Sequence, residues 1–466
     1  MQHSNRTPSI IISATHSGAG KTTVTRALLA ALKAKGLSVQ PFKIGPDFID
    51  PMYHSAIVGK PSINLDFWMM GEHGIREVFS RWSQKADVAV IEGMGALFDG
   101  ANGTGEGSAA HIAAILGVPV VVVIDVYGMT RTTAAIMDGI DSFDPNVKIA
   151  GFILNRCGRL GSVVHANLIR KAVGEERWKR VLSIVSDDPD LEVTERHLGL
   201  ITTYENPGSE SNSGLRRVAE QLDVDKIFGL SLRPKASHEA QAAKLSTYTQ
   251  RLRLAVARDA AFCFYYEENL AALKAAGFEI VEFSPVAGDT LPPDTDAVYI
   301  GGGYPESFAT QLADNTDLAV QLRKAAELGM PIYGECGGLI YLGRSLTGFD
   351  GKTYSMTGVL PIDFVMDPAY LQIRYIELTT SRDSLLGPAG TVIRGQEFHQ
   401  SRVVDSGLSP DFYTGRTSDG REFVDGYQHK NVVASYAHIY FNSCPKVIDS
   451  FVDAAWNFRR GKNVTQ

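Results

Sequence analysis

Apolar residues in the first half of the chain form short, nearly continuous runs separated by longer amphipathic stretches. Strands that are covered by helices on both faces need no polar side, so such runs are typical of a parallel sheet in an α/β domain. The amphipathic stretch Val24–Lys35 predicts a helix that ends at Gly36, a common stop signal. The apolar runs predict strands at Ser9–Ala14, Val39–Ile44, Val88–Glu92, Val118–Asp125 and Ile149–Asn155.

A polar, turn-rich region interrupts this alternation. Residues 205–214 read ENPGSESNSG and predict a surface loop, which one more amphipathic helix follows. Residues 234–250 have no strong apolar period and predict a linker. We therefore expect one domain over residues 1–233 and a second domain over residues 251–466.

The second half resumes the alternation of strand and helix signals. From about Gly351 it becomes rich in strand and turn signals, which predict an antiparallel elaboration before a final helix near Lys446–Phe458. The predicted fold is therefore two α/β domains in series. The predicted strands are Leu254–Ala257, Glu279–Phe283, Ala297–Ile300 and Pro331–Tyr333, and the helices between them are Glu267–Ala276 and Leu318–Leu328.

Composition and charge narrow the class of function. The 466 residues include 44% hydrophobic and 21% charged residues, the balance of a globular enzyme. The formal net charge of -7 argues against a general nucleic-acid binder, which needs a basic face. No apolar run is long enough to span a bilayer, the first residues do not resemble a signal peptide, and the four cysteines form no metal-type pair. We expect a cytoplasmic enzyme with free thiols and with neither nucleic acid nor membrane as a partner.

Residues 15–22, THSGAGKT, stand between the first predicted strand and the first predicted helix. This context favours a phosphate-binding loop, because small residues let backbone N–H groups approach phosphate oxygens closely. Lys21 would contact the β- and γ-phosphates of ATP, and Thr22 would hold Mg²⁺ through its hydroxyl. Thr15 stands in the place of the motif's first glycine, so the match departs at one position. The predicted ATP-binding residues are Gly18, Ala19, Gly20, Lys21, Thr22, Thr23 and, for adenine, Asn155.

Acidic residues follow two of the predicted strands. Asp47 comes shortly after the second strand, and Glu92 ends the third. Because parallel strands end at the same edge of a sheet, we expect both carboxylates near the phosphate loop. Together with Thr22 they form the predicted Mg²⁺ site, since Mg²⁺ prefers oxygen ligands. Asp50 and Asp99 are predicted to face the acid that is activated.

A second candidate site lies in YGECGGL, residues 333–339. Its G-x-C-x-G core resembles the nucleophile elbow of α/β-hydrolases, with the sulfur of Cys336 as the nucleophile. Flanking glycines suit the strained turn that such a nucleophile occupies. The N–H groups of Gly337 and of Gly303, in YIGGGYPE, are the predicted donors to an oxyanion.

A thiol nucleophile needs a base to take its proton. His438, near the end of the strand-like run SYAHIYF, is the first choice. His399 and His429 are alternatives that the sequence leaves open. The structural alternative for Cys336 itself is a small buried side chain without chemistry.

Motifs across almost the whole chain resemble, in order, those of the cobyrinic acid a,c-diamide synthase family. In the first domain they read SGAGKTT, FKIGPDFIDPMYH, NLDFWMM, VIEGMGALFDG, FILNR and RHLGL. In the second they read VARDAAFCFYYEENLAAL, FSPVAGDTLP, YIGGGYPE, YGECGGLIYL and GQEFHQSRV. Such an ordered series is specific, because chance does not produce it.

The resemblance implies a dethiobiotin-synthetase-like P-loop domain with a parallel sheet, joined to a class I glutamine amidotransferase α/β domain. It implies glutamine and Mg²⁺-ATP as co-substrates, and a tetrapyrrole polycarboxylate as the acceptor. The a and c carboxylates of cobyrinic or hydrogenobyrinic acid would be amidated through an acyl phosphate, with ammonia from glutamine hydrolysis. The family's roles fall on Lys21 and Thr22 for phosphate and Mg²⁺, Asp47 and Glu92 for metal, Asp50 and Asp99 for the substrate carboxylate, and Cys336 and His438 for nucleophile and base.

Two departures from the family pattern leave points open. Related class I enzymes carry a glutamate two residues after the base, where this chain has Tyr440, so the third member of the thiol site is undetermined. Gln396 and Gln400 stand where the family often has aromatic or histidine residues, so the exact tetrapyrrole is open. Ammonia in water is mostly protonated, and we therefore expect an internal passage between the domains.

Alternative functions share parts of these motifs. Cobyric acid synthase-type enzymes amidate other corrin carboxylates with the same domain pair, and a nickel-sirohydrochlorin a,c-diamide synthase is a near neighbour in substrate. A partition-type ATPase would share the phosphate loop but has no use for a thiol elbow. A thiol hydrolase with a vestigial nucleotide domain would not couple ATP to its product. The sequence leaves the assembly open, with a homodimer among the candidates.

Overall fold

The computed structural model describes residues 7–160, 163–188, 195–196, 199–200, 202–205, 208, 213–232 and 251–464. The chain divides into two compact units, Met1–Gln241 and Ala242–Gln466. The predicted linker, residues 234–250, lies outside the described residues. The predicted domain bounds, 1–233 and 251–466, therefore stay a prediction.

A seven-stranded parallel sheet forms the first unit, in the order β3-β2-β4-β1-β5-β6-β7. The parallel α/β sheet predicted from the apolar runs is thus confirmed. A separate ribbon pairs two short strands, β8 and β9. The strands are β1 (Ser9–Ala14), β2 (Val39–Ile44), β3 (Ile63–Leu65), β4 (Val88–Glu92), β5 (Val120–Asp125), β6 (Ile149–Asn155), β7 (Val181–Ile184), β8 (Glu195–Arg196) and β9 (Gly199–Leu200).

Helices cover both faces of this sheet, which explains its continuous apolar strands. In β1, Ile11 packs into one core and its neighbours Ile10 and Ile12 into the other. The helices are α1 (Lys21–Ala34), α2 (Ile49–Val58), α3 (Phe67–Ser83), α4 (Ala109–Leu116), α5 (Thr132–Phe143), α6 (Val164–Val173), α7 (Glu175–Trp178), α8 (Ser213–Gln221) and α9 (Val224–Gly229). α3, α4, α5 and α6 contribute to the first core, and α1, α8 and α9 to the second.

Most predicted bounds in the first unit agree with the structure. Strand β5 begins at Val120 and not at Val118, because Pro119 has no N–H to donate to a ladder. Helix α1 begins at Lys21, where the phosphate motif predicts a helix start, and three residues before the amphipathic stretch that begins at Val24. The residue before it, Gly20, has a φ of 93° and ends the preceding loop abruptly.

The second unit contains a six-stranded sheet in the order β11-β10-β12-β13-β23-β22. All its pairings are parallel except that of β22 with β23. These strands are β10 (Leu252–Ala257), β11 (Phe278–Phe283), β12 (Ala297–Ile300), β13 (Ile332–Glu335), β22 (Tyr427–His429) and β23 (Val432–Ser435). The helices of the unit are α10 (Glu267–Ala275), α11 (Ala309–Asp314), α12 (Thr316–Glu327), α13 (Gly337–Leu342) and α14 (Lys446–Val464).

Two further sheets elaborate this unit. One has the order β15-β14-β16-β19, and the other, antiparallel throughout, has the order β21-β20-β17-β18-β24. The elaboration begins at Ser345, before the predicted Gly351, and its β14–β16 pairing is parallel. The strands are β14 (Ser345–Thr347), β15 (Thr353–Ser355), β16 (Ile362–Met366), β17 (Gln372–Thr380), β18 (Val392–His399), β19 (Ser401–Ser406), β20 (Tyr413–Thr417), β21 (Glu422–Asp425) and β24 (His438–Ile439).

The short strand β24 carries the histidine predicted as the base of the thiol site. It pairs with the middle of β18, with His438 opposite Gln396, and so places that histidine on the elaboration and not on the main sheet. Across the described parts of both units, no helix is long and apolar enough to cross a membrane.

Candidate active sites

The loop between β1 and α1 has the backbone that the phosphate motif requires. Gly18 and Gly20 have φ angles of 85° and 93°, which glycine adopts without strain. Asn155, at the end of β6, donates a hydrogen bond from Nδ2 to the Ala19 carbonyl at 2.9 Å. A Cβ on Gly20 would stand 2.0 Å from that Nδ2 atom. Asn155 therefore supports the loop, and its predicted contact with adenine stays a prediction.

Lys43, near the end of β2, is a residue that our sequence reasoning missed. Its buried ammonium group donates hydrogen bonds to Asp50 Oδ2 and, at 3.0 Å, to Glu92 Oε1. The Oδ2 atom of Asp47 lies 3.6 Å away. The available signal was a lysine inside an apolar strand, with acids four and seven residues later. Three predicted acids thus meet around a cation that the sequence did not point out.

Glu92 is the centre of this cluster. Its Oε1 atom accepts a hydrogen bond from the Thr22 hydroxyl at 2.7 Å, and its Oε2 atom lies 2.7 Å from Nε2 of the buried His54. Lys21 Nζ lies 3.8 Å from Oε1. Burial alone would raise the pKa of Glu92, but Lys43 and His54 outweigh it and hold that pKa well below its ordinary value. The structure therefore places an ionised carboxylate beside the phosphate loop.

The other predicted residues of this site differ in how closely they join the cluster. Asp50 lies 3.5 Å from the Thr22 hydroxyl, and burial together with the Glu92 charge raises the pKa of Asp50 well above its ordinary value. Thr23 lies in the first turn of α1. Asp99 is exposed and lines a cleft with aromatic side chains, including Phe98. None of the described hydrogen bonds joins Asp99 to the cluster, so its role toward the substrate carboxylate stays a prediction.

Cys336 stands on a sharp turn between β13 and α13. Its φ of 49° and ψ of -101° are strained for a residue with a side chain. The Cys336 amide donates to the Ser435 carbonyl at 2.8 Å, which holds the turn to the neighbouring strand. A Cβ on Gly338 would stand 2.1 Å from the Ile300 carbonyl oxygen. The elbow therefore has the geometry that the G-x-C-x-G motif predicts.

The two glycines predicted as oxyanion donors lie side by side. A Cβ on Gly337 would stand 3.1 Å from the amide nitrogen of Gly303. A Cβ on Gly303 would in turn stand 2.1 Å from the Ala261 carbonyl oxygen, so this position admits no side chain. The structure brings both residues to the elbow, and their role as oxyanion donors stays a prediction.

His438 is the imidazole that the structure brings to the thiol. It is buried, and Cys336 is one of the groups that raise its pKa. The described hydrogen bond of the Cys336 thiol is donated to the Phe398 carbonyl oxygen at 3.7 Å. The ring fits because Gly302 has no side chain: a Cβ there would stand only 2.3 Å from His438 Cε1. Burial lowers the pKa of His438, but Cys336 and Glu335 raise it to about 9. His438 therefore favours its protonated form, the imidazolium.

The two alternative histidines are engaged elsewhere. His399 Nδ1 lies 2.9 Å from the Ser401 carbonyl oxygen, and its ring stacks on Tyr436 with centroids 3.7 Å apart. Burial lowers the pKa of His399 to about 4. His429 lies at the surface, 3.0 Å from a carboxylate oxygen of Glu327. Neither ring has a described contact with Cys336.

Glu335 is a second residue that our sequence reasoning missed, because it occupied a variable position of the elbow motif. It directly precedes Cys336, is buried, and has its Oε2 atom 3.8 Å from His438 Nδ1. The available signal was a single acid in an otherwise apolar and glycine-rich strand end. Tyr440, at the position where a family acid was expected, is buried and supplies no carboxylate.

Two family models match the chain, one in each unit. The CobQ/CobB/MinD/ParA nucleotide binding domain matches residues 10–201, and the CobB/CobQ-like glutamine amidotransferase domain matches residues 253–445. Three curated relatives are each described as a cobyrinate a,c-diamide synthase. The relative from Caldanaerobacter subterraneus subsp. tengcongensis is 36% identical over 97% of this chain and 99% of its own. Those from Syntrophotalea carbinolica and Priestia megaterium are 39% identical, over 98% and 95% of this chain and 99% and 96% of their own.

Proposed function

Because the chain belongs to the cobyrinate a,c-diamide synthase family of ATP-dependent, glutamine-hydrolysing ligases, we propose that it amidates the a and c carboxylates of cobyrinic or hydrogenobyrinic acid. One observation carries the proposal. The chain holds a Cys336–His438 pair in one unit and a phosphate loop beside a cluster of acids and lysines in the other. This combination suits ammonia release and carboxylate activation within one protein.

The first reaction releases ammonia from glutamine. The Cys336 thiolate attacks the side-chain amide carbon, and the His438 imidazolium gives its proton to the departing ammonia. Water then hydrolyses the thioester to glutamate and restores the thiol. The N–H groups of Gly303 and Gly337 stabilise the oxyanion, a contribution worth about 100- to 1,000-fold in rate for one donor.

The second reaction activates the acceptor. A substrate carboxylate oxygen attacks the γ-phosphorus of ATP, which releases ADP and leaves an acyl phosphate. Ammonia then attacks the acyl carbon and displaces phosphate, forming the amide. Lys21 and Lys43 offset the negative charge that gathers on the phosphate oxygens, while Asp50 and Asp99 are the proposed contacts of the substrate.

The residues beside the phosphate loop fit Mg²⁺. The Thr22 hydroxyl and Glu92 Oε1 are 2.7 Å apart, close to the separation of about 3 Å between neighbouring ligands of an octahedral ion with bonds near 2.1 Å. No three histidine, cysteine, aspartate or glutamate side chains among the described residues could hold a metal on their own. Mg²⁺ needs only one or two protein oxygens when phosphates and water complete its shell. Thr22, Glu92 and Asp47 would hold the ion, which would offset phosphate charge.

A nitrogen-source test separates the two reactions. Cys336→Ala is expected to abolish amidation with glutamine and to retain amidation with ammonium chloride, because only the thiol step is removed. Mass spectrometry of cobyrinic acid, hydrogenobyrinic acid and nickel-sirohydrochlorin after incubation would count the amides added to each. Cys444→Ala, a change at another free cysteine of the same unit, is the matched control and should keep both activities.

Two results would contradict the proposal. Loss of amidation with both nitrogen sources in Cys336→Ala would show that the thiol does more than supply ammonia. Retention of glutamine-dependent amidation would show that the thiol is not the nucleophile. Gain of two amides on one tetrapyrrole alone would identify the substrate.

A further inference from the structure

A buried carboxylate next to the nucleophile needs an explanation, since an ionised carboxylate away from water costs several kcal/mol unless polar groups satisfy it. Glu335 is such a group, with only 1% of its surface exposed. It ends β13, and the next residue is Cys336. The two proposed reactions assign it no role.

Three donors satisfy the Glu335 carboxylate. Its Oε1 atom accepts hydrogen bonds from the Tyr333 hydroxyl at 2.9 Å and from the Ile439 amide at 3.1 Å. Its Oε2 atom accepts one from the Tyr299 hydroxyl at 2.9 Å. Burial and the Glu335 charge raise the pKa values of both phenols well above the ordinary value, so these hydroxyls stay protonated and donate. This arrangement suits the ionised form of the carboxyl group.

The same carboxylate faces the proposed base. Oε2 lies 3.8 Å from His438 Nδ1, and Oε1 holds the backbone amide of the next residue, Ile439. One carboxylate therefore contacts both the His438 ring and the backbone amide that follows it. Nδ1 is therefore the ring nitrogen that faces Glu335. A separation of 3.8 Å is an ion-pair distance, so the attraction grows when the imidazole becomes charged.

Titratable groups of the described residues interact with His438 from more than one element. Cys336 and Glu335 face it from the elbow and β13, and Glu397 and His399 from β18. Glu397 is paired with Arg374 at 2.6 Å, so its charge is largely compensated. The described hydrogen-bond donors of Glu335 are all neutral, so its negative charge remains available to the imidazolium.

We propose that Glu335 is the positioning acid of the thiol site: it orients the His438 ring and stabilises the imidazolium that forms when Cys336 ionises. The inference rests on the proposed glutaminase roles of Cys336 and His438. It assigns the third member of the site to the residue before the nucleophile. The glutamate that the family resemblance led us to look for two residues after the base is thereby unnecessary.

The test is Glu335→Gln, which keeps the shape of the side chain and removes its charge. We expect kcat/KM for glutamine hydrolysis to fall by about 100- to 1,000-fold, less than the roughly 10,000-fold typical of an acid hydrogen-bonded directly to a catalytic histidine. Amidation with ammonium chloride should be unchanged. Glu268→Gln, at a buried glutamate of α10, is the matched control and should leave glutamine hydrolysis unchanged.

A pH profile distinguishes positioning from a merely structural role. The pKa of His438 is raised to about 9 partly by Glu335, and burial opposes that rise. Without the carboxylate the imidazolium should lose its proton at a lower pH, so the alkaline limb of kcat/KM should move toward neutral pH. Glu335→Asp keeps the charge but draws it back by one methylene, so its alkaline limb should stay near that of the unmodified enzyme while kcat falls. This variant also carries the test if Glu335→Gln does not fold.

The outcomes separate this inference from the function on which it rests. A folded Glu335→Gln protein with unchanged kcat/KM and an unchanged alkaline limb would overturn the role of Glu335. So would a Glu335→Asp protein whose alkaline limb moves as far as that of Glu335→Gln. If Cys336→Ala itself retained glutamine hydrolysis, the proposed function would fail first, whatever Glu335 does.

Discussion

A buried ammonium group is tolerated only where carboxylates surround it, and Lys43 meets that condition at the end of β2. Its described partners are the Gly93 carbonyl oxygen and three of the acids predicted to bind metal or substrate, Asp50, Glu92 and Asp47. Burial lowers the pKa of the neighbouring Lys21, whereas these carboxylates hold the pKa of Lys43 above its ordinary value. Lys43 thus keeps a positive charge among acids that would otherwise repel one another.

Removing the positive charge of Lys43 should destabilise the protein. We expect Lys43→Met to lower the free energy of unfolding by about 3 kcal/mol, because a buried carboxylate loses its partner. ATP-dependent amidation should be lost with both glutamine and ammonium chloride. Chemical denaturation and product mass spectrometry measure the two effects.

Lys35→Met is the control for this prediction. Lys35 pairs with Asp225 at the protein surface, where such pairs contribute little. The control should leave both stability and amidation nearly unchanged. A Lys43→Met protein as stable and active as this control would show that the cluster does not need its cation.

At the scale of elements, the thiol site is an assembly of strand ends. Cys336 follows β13, Gly303 follows its neighbour β12, and the Cys336 amide is tied to Ser435 at the end of β23. His438 arrives separately, on β24 of the antiparallel elaboration. The parallel sheet therefore positions the nucleophile, and the elaboration supplies the base.

The close approach of these elements depends on Gly302. We expect Gly302→Ala to reduce glutamine hydrolysis by about 100-fold, because the new methyl group, 2.3 Å from His438 Cε1, must displace the ring by about 1 Å. Steady-state glutaminase assays measure the loss, and ammonium-dependent amidation should remain. Gly461→Ala, where an added Cβ meets open space in α14, is the matched control. Normal glutaminase activity in Gly302→Ala would contradict the described packing.

At the scale of the whole molecule, the two chemistries lie in two compact units, each with its own sheet and cores. A single substitution in one unit is therefore expected to abolish the activity of that unit and to leave the activity of the other. Cys336→Ala isolates the ATP-dependent half, and a change in the phosphate loop should isolate the other.

Lys21→Ala supplies that complementary case. We expect it to lose amidation with glutamine and with ammonium chloride, because the charge on the γ-phosphate is no longer offset. Glutamine hydrolysis should survive, since the thiol site does not use Lys21. Release of glutamate and formation of amide are the two readouts. Loss of glutamate release as well would show that the thiol site requires an intact nucleotide site.

The amino-acid sequence was sufficient for the features that depend on neighbouring residues. Continuous apolar runs predicted the parallel strands, because their side chains must be buried on both faces. The phosphate loop before Lys21 and the elbow around Cys336 were predicted from short motifs, because a tight turn and its glycines lie within a few residues. The start of the elaboration was displaced from its predicted position, since single residues set element ends.

Only the tertiary structure determines which buried charged groups contact one another. Lys43 and His54 contact Glu92 across 49 and 38 residues of sequence, and Glu335 holds the amide of Ile439 across 104 residues. Pairings at such separations leave no local pattern, because the folded core creates them by bringing distant strand ends together. Burial then strengthens each charge interaction by excluding water. Residues without a recognisable sequence motif therefore determine the electrostatics of both sites.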